Sequence, residues 1–499
     1  MPVEGSQRRR ILVASNRGPV SFSRDEDGQL TAKRGGGGVV SGLSSVASSE
    51  DMLWVCAALS EADRAAARES PGGLFDLDGH AGGSAVQMLD IAPATFSRAY
   101  NTVANSVLWF IHHMLYDTPN RPQFGFAFER DWDAYRQYNQ AFAQALAADA
   151  GSAQSRAVIQ DYHLTLAPRM LRKLAPRTRI AHFSHTPWAP VDYYRLLPDS
   201  VGAEVLDGIL GADHAGFLCQ RWADAFMDCC EQILGAEVDR GGFGGTVPPG
   251  QHSRQQVSHE GHVTGIGIHP LGVDAGELTD RASQSDVELA MASLTEVIGD
   301  RKLIVRVDRT ELSKNIVRGL AAFRELLLTR PHWRGRVMML SLAYPSRHDL
   351  PEYREYTATV QRLAGAIDDE FGSPDWTPVL LQTDDDYPRS LAGFRLADVL
   401  LVNPIRDGMN LVAKEGPILS DRSCALVLSR EAGAAAELSA DALMINPFDV
   451  AETATALDEA LMMSEEERIA RCRSLAAAAS AVPPSAWFAS QLAALDGQS

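Results

Sequence analysis

The sequence predicts an α/β protein made of two doubly wound domains, and three observations carry that prediction. Its 499 residues exceed the roughly 250–300 at which a single hydrophobic core stops growing. Short β-branched runs alternate with longer helical patterns, as in βα units with parallel sheets. Polar and glycine-rich residues fall where those strands end, which is where doubly wound sheets bind ligands.

Taken in order, the candidate strands of the first half are Ile11–Ser15, Ala157–Gln160, Arg179–Ser184 and Ala215–Gln220. Those of the second half are Lys302–Val307, Val337–Leu342, Val379–Gln382, Asp398–Val402, Ala425–Ser429 and Ala442–Ile445. All are near-continuous apolar runs, as expected of strands covered on both faces. Ile316, Leu320, Phe323 and Leu327 recur on one helical face suited to packing on a sheet. Arg240–Gln255 is rich in Gly, Pro and polar residues and reads as a loop. Val263–Asp274, ending in HPLGVD, reads as an extended linker, so the boundary is expected at 270–275. The domains are then 1–272 and 273–482. Pro483–Pro484 interrupts an Ala-rich helix, and the segment 483–499, amphipathic around Trp487–Leu495, is expected to cross back to the first domain. Two such domains facing each other leave a cleft at the carboxyl ends of their strands, and chemistry is expected there.

Composition narrows the functions. Hydrophobic residues make up 45% and charged residues 22%, an ordinary globular mixture. The formal charge of −18 opposes binding to nucleic acid or anionic lipid. An anionic substrate must therefore meet a local cluster of Arg and Lys. The six cysteines show no CxxC spacing and no His in finger-like register, so a structural zinc is not expected. Cys229–Cys230 reads as a pair of buried free thiols, which suits a reducing cytoplasm. The opening MPVEGSQRRR has no apolar region behind it, and no run approaches the ~20 residues of a membrane span. A soluble, cytoplasmic protein is expected.

Four features bear chemistry. Ser15-Asn16-Arg17 closes the first strand, and Arg34 then leads four glycines to Gly38 before an apolar helix that begins around Val39–Leu43. Glycines there let backbone N–H groups approach an anion, or else form a plain surface loop. The spacing is neither the GxGxxG of a dinucleotide fold nor a P-loop, so no nicotinamide or ATP cofactor is expected. Asp161-Tyr162-His163 closes one strand and His185 the next. A carboxylate and an imidazole at neighbouring strand ends can bind sugar hydroxyls or polarise an acceptor hydroxyl. Arg309 and Lys314, five apart at a strand-to-helix turn, can bracket a diphosphate. The most specific feature is Asp407-Gly-Met-Asn-Leu-Val-Ala-Lys-Glu415. Gly408 permits a tight turn, the N–H groups of Asn410, Leu411 and Val412 open a helix toward phosphate, and Glu415 can accept bonds from ribose hydroxyls. Asp384-Asp-Asp386 superficially offers a metal motif but reads as a solvated loop.

With these placed, the sequence resembles the trehalose-6-phosphate synthases, retaining glycosyltransferases of the GT-B architecture with two Rossmann-like domains. SNRGPV, the glycine loop, AYNTVANSVLW, QDYHL, FSHTPW, the R-x4-K pair, AYPSR, RDGMNLVAKE and LVLSREAGAAAEL match in order from about residue 10 onward. The HTPWAP and VDRTELSKN wording looks like the actinobacterial branch. The resemblance implies transfer of glucose from GDP-glucose or UDP-glucose to glucose 6-phosphate, giving trehalose 6-phosphate. It implies that Arg17, Tyr100, Trp109 and Arg347 hold the acceptor phosphate, and that Asp161 and His185 contact sugar near the reacting centre. On the donor side it implies Gly38, with His185 reaching there also, and Arg309 and Lys314 on the diphosphate. Asp407, Asn410, Leu411, Val412 and Glu415 would hold the donor glucose, phosphates and ribose. Asp161, His185, Arg309 and Lys314 are the candidate catalytic set. The family's same-face mechanism, in which the leaving phosphate takes the acceptor's proton, needs no metal or cofactor. The branch leans toward GDP-glucose, and family habit makes a homo-oligomer an expectation.

One position departs from the pattern. Where many members carry a second Trp three residues after Trp54, this chain has Ala57. The rival reading is therefore a related enzyme with another acceptor, a glucosylglycerol-phosphate synthase or a validoxylamine-type pseudo-glycosyltransferase. The intact DGMNLVAKE favours a glucose-bearing donor. A catalytically dead sugar-phosphate sensor would be expected to have lost one of Asp161, His185, Arg309, Lys314 or Glu415, and all are present.

Overall fold

Each long apolar run of the sequence becomes a buried strand, and two parallel sheets result. A computed structural model describes residues 11–25, 27–34, 52–76, 85–150, 155–241, 255–347 and 350–497. The chain divides into two compact units, Met1–Leu271 with Pro484–Ser499, and Gly272–Pro483.

The strands of the first unit are β1 (Ile11–Ala14), β2 (Val20–Arg24), β3 (Leu30–Arg34), β4 (Met52–Ala57), β5 (Leu74–Asp76) and β6 (Ala85–Leu89). They continue with β7 (Arg156–Gln160), β8 (Arg179–Ser184), β9 (His214–Phe217), β10 (Glu237–Asp239), β11 (Gln256–His259) and β12 (His262–Ile268). Ten of them form one sheet in the order β10-β11-β12-β9-β8-β7-β1-β4-β6-β5, and β2 and β3 form a separate antiparallel hairpin. From β12 to β6 every neighbouring pair is parallel. Ile11, Leu12, Val13 and Ala14 are all fully buried, as a central parallel strand requires. The helix Pro484–Asp496 packs on β7, β8 and β9. Its Trp487 is fully buried with its ring edge-on to Phe183 at 5.1 Å, a side chain whose burial contributes on the order of 2–3 kcal/mol.

The second unit holds β13 (Lys302–Arg309), β14 (Val337–Tyr344), β15 (Val379–Gln382), β16 (Val399–Val402), β17 (Ala425–Ser429) and β18 (Leu443–Ile445). They lie in the order β15-β14-β13-β16-β17-β18, all parallel. Counted from β13, that is the 3-2-1-4-5-6 order of a dinucleotide-type sheet. The helix Ile316–Thr329 buries Ile316, Leu320, Phe323 and Leu327 completely, the face expected from their spacing.

Several elements differ from the sequence reading. Residues 263–268, the first part of the segment read as linker, belong to β12, because Ile266 and its neighbours pair with the open edge of β9. The run expected to be strand through Gln220 stops at Phe217, since a helix begins at Gln220. β4, β6 and the short antiparallel strands were not anticipated. Asp386 is not merely solvated: its carboxylate caps the helix Tyr387–Leu396 by accepting from the Arg389 amide at 2.9 Å. All six cysteines are buried free thiols. No helix among the described residues is long and apolar enough to cross a membrane.

Candidate active site

In the second unit the strand order reverses between β13 and β16, so the turns leaving these strands flank the crevice at the sheet's carboxyl end. Arg309 is the last residue of β13, and the chain then makes a tight turn through Leu312–Lys314. Four hydrogen bonds lock that turn. Arg306 donates to Asp308 at 2.7 Å and to the Lys314 carbonyl at 3.1 Å. Asn315, held in the left-handed region at φ 58, donates its amide to the Asn403 carbonyl at 2.9 Å and the Pro447 carbonyl at 2.8 Å. The basic turn after β13 is thereby tied to the loop after β16.

That tie places Lys314 Nζ 2.6 Å from Asp407 Oδ2. Burial is the largest single influence and would lower the Lys314 ammonium's pKa, but the charges of Asp407, Glu311 and Asp308 together outweigh it and raise it. Lys314 is therefore a fixed cation in the crevice. Asn410 adopts φ 81 and donates its amide to Asp407 Oδ2 at 3.1 Å. The chain can then enter the helix Val412–Leu419 directly after Leu411. Its first amides have no partner within the helix, so the segment Asn410, Leu411, Val412 presents donors and the positive end of a helix dipole. Glu415 lies in the first turn of that helix, and no described residue donates a hydrogen bond to its side chain. Desolvation pushes its carboxyl up to about 7. The adjacent Lys414 is fully buried against Glu437 at 2.7 Å and is structural. Arg347 follows β14 at φ 46, and its guanidinium donates to the Tyr353 hydroxyl at 2.8 Å.

In the first unit the order reverses between β1 and β7. Ser15 and Asn16, just past β1, are fixed by Trp54 Nε1 donating to Ser15 Oγ at 2.7 Å and Tyr138 Oη donating to Asn16 Oδ1 at 2.6 Å. Exposed Arg17 follows them. Asp161 follows β7 at φ 74 and ψ 172, a backbone region almost confined to glycine that costs on the order of 1–3 kcal/mol for a residue with a Cβ. It is held by its amide on the Phe183 carbonyl at 2.7 Å and by the His185 amide on Oδ1 at 3.2 Å. His185 Nε2 lies 2.8 Å from Gln160 Oε1, leaving Nδ1 with the lone pair. Burial, with His182 nearby, holds the imidazole down at about 3. It is therefore a neutral hydrogen-bonding group, and Trp487 packs on it at 5.5 Å.

Tyr100 and Trp109 reach the same place by unusual means. Residues Arg98–Leu108 form a π-helix. Nine residues of α-helix turn through about 900°, which would put Tyr100 and Trp109 on opposite faces. The i→i+5 bonding of a π-helix lowers the step to roughly 80° per residue and returns them to one face. Tyr100 stacks on His163 at 5.5 Å, and Trp109 packs on Tyr162 at 5.5 Å. These consecutive residues of the turn after β7 also contact each other, so both rings meet the Asp161 loop. Asn105, inside the π-helix, accepts the Tyr162 hydroxyl at 2.8 Å.

The expected residues thus gather in two groups. Arg17, Tyr100, Trp109, Asp161 and His185 lie at the carboxyl end of the first sheet. Arg309, Lys314, Arg347, Asp407, Asn410, Leu411, Val412 and Glu415 lie at that of the second. Gly38 and its loop lie outside the described residues. Ala57 ends β4, is 2% exposed, and donates its amide to the Asn16 carbonyl at 3.2 Å. Sequence reasoning missed Gln160, which sets the His185 tautomer, and Glu311, a buried carboxylate 3.0 Å from Arg309. Both sit inside motifs already singled out, QDYHL and RTELSK, as the polar residues without a role. Among the described residues one group, Asp207, His259 and Glu260, has metal-ligand atoms within 4.8 Å of one another. Asp207 is already engaged by Arg169 at 2.7 Å, and the group lies where β12 begins, away from the carboxyl ends.

Comparison with known proteins gives the family and the fold. A model of glycosyltransferase family 20 matches residues 9–496. The chain is 34% identical over 475 residues to a bifunctional trehalose-6-phosphate synthase/phosphatase of Thermoproteus tenax, covering 93% of this chain and 60% of that protein. It is 32% identical over 473 residues to the α,α-trehalose-phosphate synthase (UDP-forming) of Schizosaccharomyces pombe, covering 93% and 86%. It spans only 54% of the length of an Arabidopsis thaliana relative. Among solved structures, the Escherichia coli protein bound with UDP-2-fluoro glucose matches with TM-score 0.83 at 27% identity, over 97% of this chain and 98% of that one. A UDP-forming synthase of Burkholderia xenovorans in complex with glucose-6-phosphate matches with TM-score 0.82 at 26% identity, over 98% and 100%. The fold is of the GT-B class that these neighbours share.

Proposed function

The chain belongs to glycosyltransferase family 20, and we propose that it transfers glucose from UDP-glucose to glucose 6-phosphate, releasing UDP and forming trehalose 6-phosphate. The observation that carries this reading is the Lys314–Asp407 contact of 2.6 Å at the strand reversal of the second sheet. It fixes a cation beside Arg309 and the Val412 helix N-terminus, where a diphosphate gains charge as it leaves.

In the proposed reaction the bond from the glucosyl anomeric carbon to the UDP phosphate oxygen breaks. A bond forms from that carbon to the anomeric hydroxyl oxygen of the acceptor, and the hydroxyl proton passes to the leaving phosphate. Arg309, Lys314 and the amides around Asn410, Leu411 and Val412 stabilise the charge that develops. Glu415 accepts from the ribose hydroxyls, and Asp407 orients the glucose. On the acceptor, Arg17 and Arg347 supply charge to the phosphate, Tyr100 and Trp109 bound it, and Asp161 holds sugar hydroxyls. Neutral His185 donates or accepts a hydrogen bond without adding charge. The names of the relatives favour UDP-glucose over the GDP-glucose to which the sequence wording leans.

The test is nucleoside diphosphate release by the full chain, given UDP-glucose or GDP-glucose with and without glucose 6-phosphate, with product analysis. Release that depends on glucose 6-phosphate and yields a non-reducing disaccharide phosphate supports the reading and ranks the donors. One observation favours a second reading: buried Ala57 stands beside Asn16 where a second Trp is common in the family. Release only with a different polyol or cyclitol phosphate would move the assignment to that acceptor and leave the donor side intact.

A further inference from the structure

Glu311 is fully buried, and its carboxylate sits among cations. Its Oε1 lies 3.0 Å from Arg309 and accepts the Ser346 hydroxyl at 2.8 Å, while Oε2 is buried and accepts no hydrogen bond. Arg309 ends β13, and Ser346 directly precedes Arg347 in the turn after β14. Thr310 joins the same two turns, donating its amide and its hydroxyl to the Tyr344 carbonyl at 2.8 and 2.9 Å. A single carboxylate therefore holds one arginine directly, and through Ser346 holds the peptide from which the other projects. Burial would raise its pKa, but Arg309, Arg347 and Lys314, with the Ser346 hydroxyl, reverse this and hold it at about 2. It is ionised throughout the physiological range.

A negative charge in that position has the wrong sign for affinity. Diphosphate and phosphate are anions, and a buried carboxylate beside the groups that bind them weakens the local positive potential. Burying it also costs desolvation. What it supplies is geometry. Two guanidinium groups on neighbouring turns repel each other, and each long side chain has many rotamers to lose. A fixed counter-charge between them removes the repulsion and selects one arrangement before substrate arrives.

We infer that Glu311 is a positioning residue for transfer: its carboxylate presets Arg309 for the leaving diphosphate and the Arg347 turn for the acceptor phosphate. This rests on the proposed function above. Its signature is a split that loss of folding would not produce. Glu311→Gln keeps the volume and removes the charge, so it should lower kcat by about 10- to 100-fold. Affinity for UDP, measured by calorimetry on the full chain, should stay level or tighten, because a repelling charge is gone. Glu311→Asp keeps the charge but draws it back by one methylene, and should recover part of the lost kcat. Ser346→Ala, which removes only a hydroxyl, should lower kcat several-fold with the same unchanged UDP affinity, and it decides the matter if Glu311→Gln does not fold. A cooperative thermal transition is required of each variant assayed. Glu311→Gln with kcat within twofold of the parent overturns the inference. So does a loss of kcat matched by an equal loss of UDP affinity, in either Glu311→Gln or Ser346→Ala, which would mark a collapsed anion site. A parent that releases no UDP with any acceptor refutes the proposed function and this inference together. An active parent with an indifferent Glu311→Gln refutes the inference alone.

Discussion

Replacing Glu415 by Gln should make the free protein more stable and the enzyme worse. No described residue donates to the Glu415 side chain, and desolvation moves its pKa from 4.5 to about 7. A raised carboxyl pKa means that the folded state binds its proton more tightly than the unfolded chain does. Stability should therefore increase as pH falls from about 7 toward 4.5, and above 7 the folded state bears the full cost of the charge. A shift of that size corresponds to about 3 kcal/mol, which partial exposure of the residue reduces to about 2 kcal/mol. Glu415→Gln removes the charge, so at pH 8 it should raise the melting temperature of the unit that contains it by roughly 4–8 °C. The gain should shrink to nothing near pH 5. The same change takes a charged acceptor from the proposed ribose site, where hydrogen bonds to ionised groups contribute about 1.5–3 kcal/mol. The KM for the nucleotide sugar should then rise about 10-fold or more, with the KM for glucose 6-phosphate unchanged. Scanning calorimetry at two pH values and steady-state kinetics at pH 8 test both halves. A melting temperature that falls at pH 8, or an unmoved donor KM, would refute the reasoning.

Other consequences can be checked individually. Lys314→Met should reduce kcat by about 100-fold or more, since it removes a fixed cation and leaves Asp407 negative beside the departing diphosphate; single-turnover UDP release reads this. His182, 1% exposed, is held down at about 4 by burial, against a smaller opposing effect of a backbone hydrogen bond with Asp161. Its contribution to stability is therefore complete above pH 6.5 and falls away toward pH 4, by about 3 kcal/mol in all. His182→Phe should flatten that part of the acid unfolding curve, and an unchanged curve would show that another group controls it. Deleting one residue within Arg98–Leu108, for example Thr102, should turn the π-helix toward α-helix and swing Trp109 away from Tyr100. The KM for glucose 6-phosphate should then rise at least tenfold while affinity for UDP is kept, as binding assays on each ligand can establish.

How much of this was legible in the sequence depended on whether local chemistry or pairing decided the structure. The central strands announced themselves because a parallel strand covered on both faces must be almost wholly apolar, as Val337–Leu340 and Ala425–Leu428 are. β12 was hidden because His262, Thr264 and two glycines interrupt its apolar residues, and only the open edge of β9 makes it a strand. The residues proposed for the donor were readable since Gly408, the Arg309–Lys314 spacing and Glu415 each report a local backbone or charge requirement. Tyr100 and Trp109 were reachable only by family resemblance, because an α-helical reading of their spacing separates them. Gln160 and Glu311 looked like ordinary members of a strand end and a turn. What singles them out is a distance across sequence, to His185 and to Ser346, that no spacing rule contains.

The helix Pro484–Asp496 has a consequence for how the molecule comes into being. It belongs to the unit that contains residue 11, yet it is synthesised only after the whole of the second unit. Until it leaves the ribosome, the sheet face at Phe183 and the ring of His185 lack the Trp487 cover that excludes water from them. The second unit, continuous from Gly272 to Pro483, has all its strands earlier and can close first. Of the two units, the one begun earlier is thus finished after the other. A chain halted before Pro484 would carry every catalytic candidate, but its His185 would stand against an open apolar face, a ready target for chaperones rather than a working imidazole.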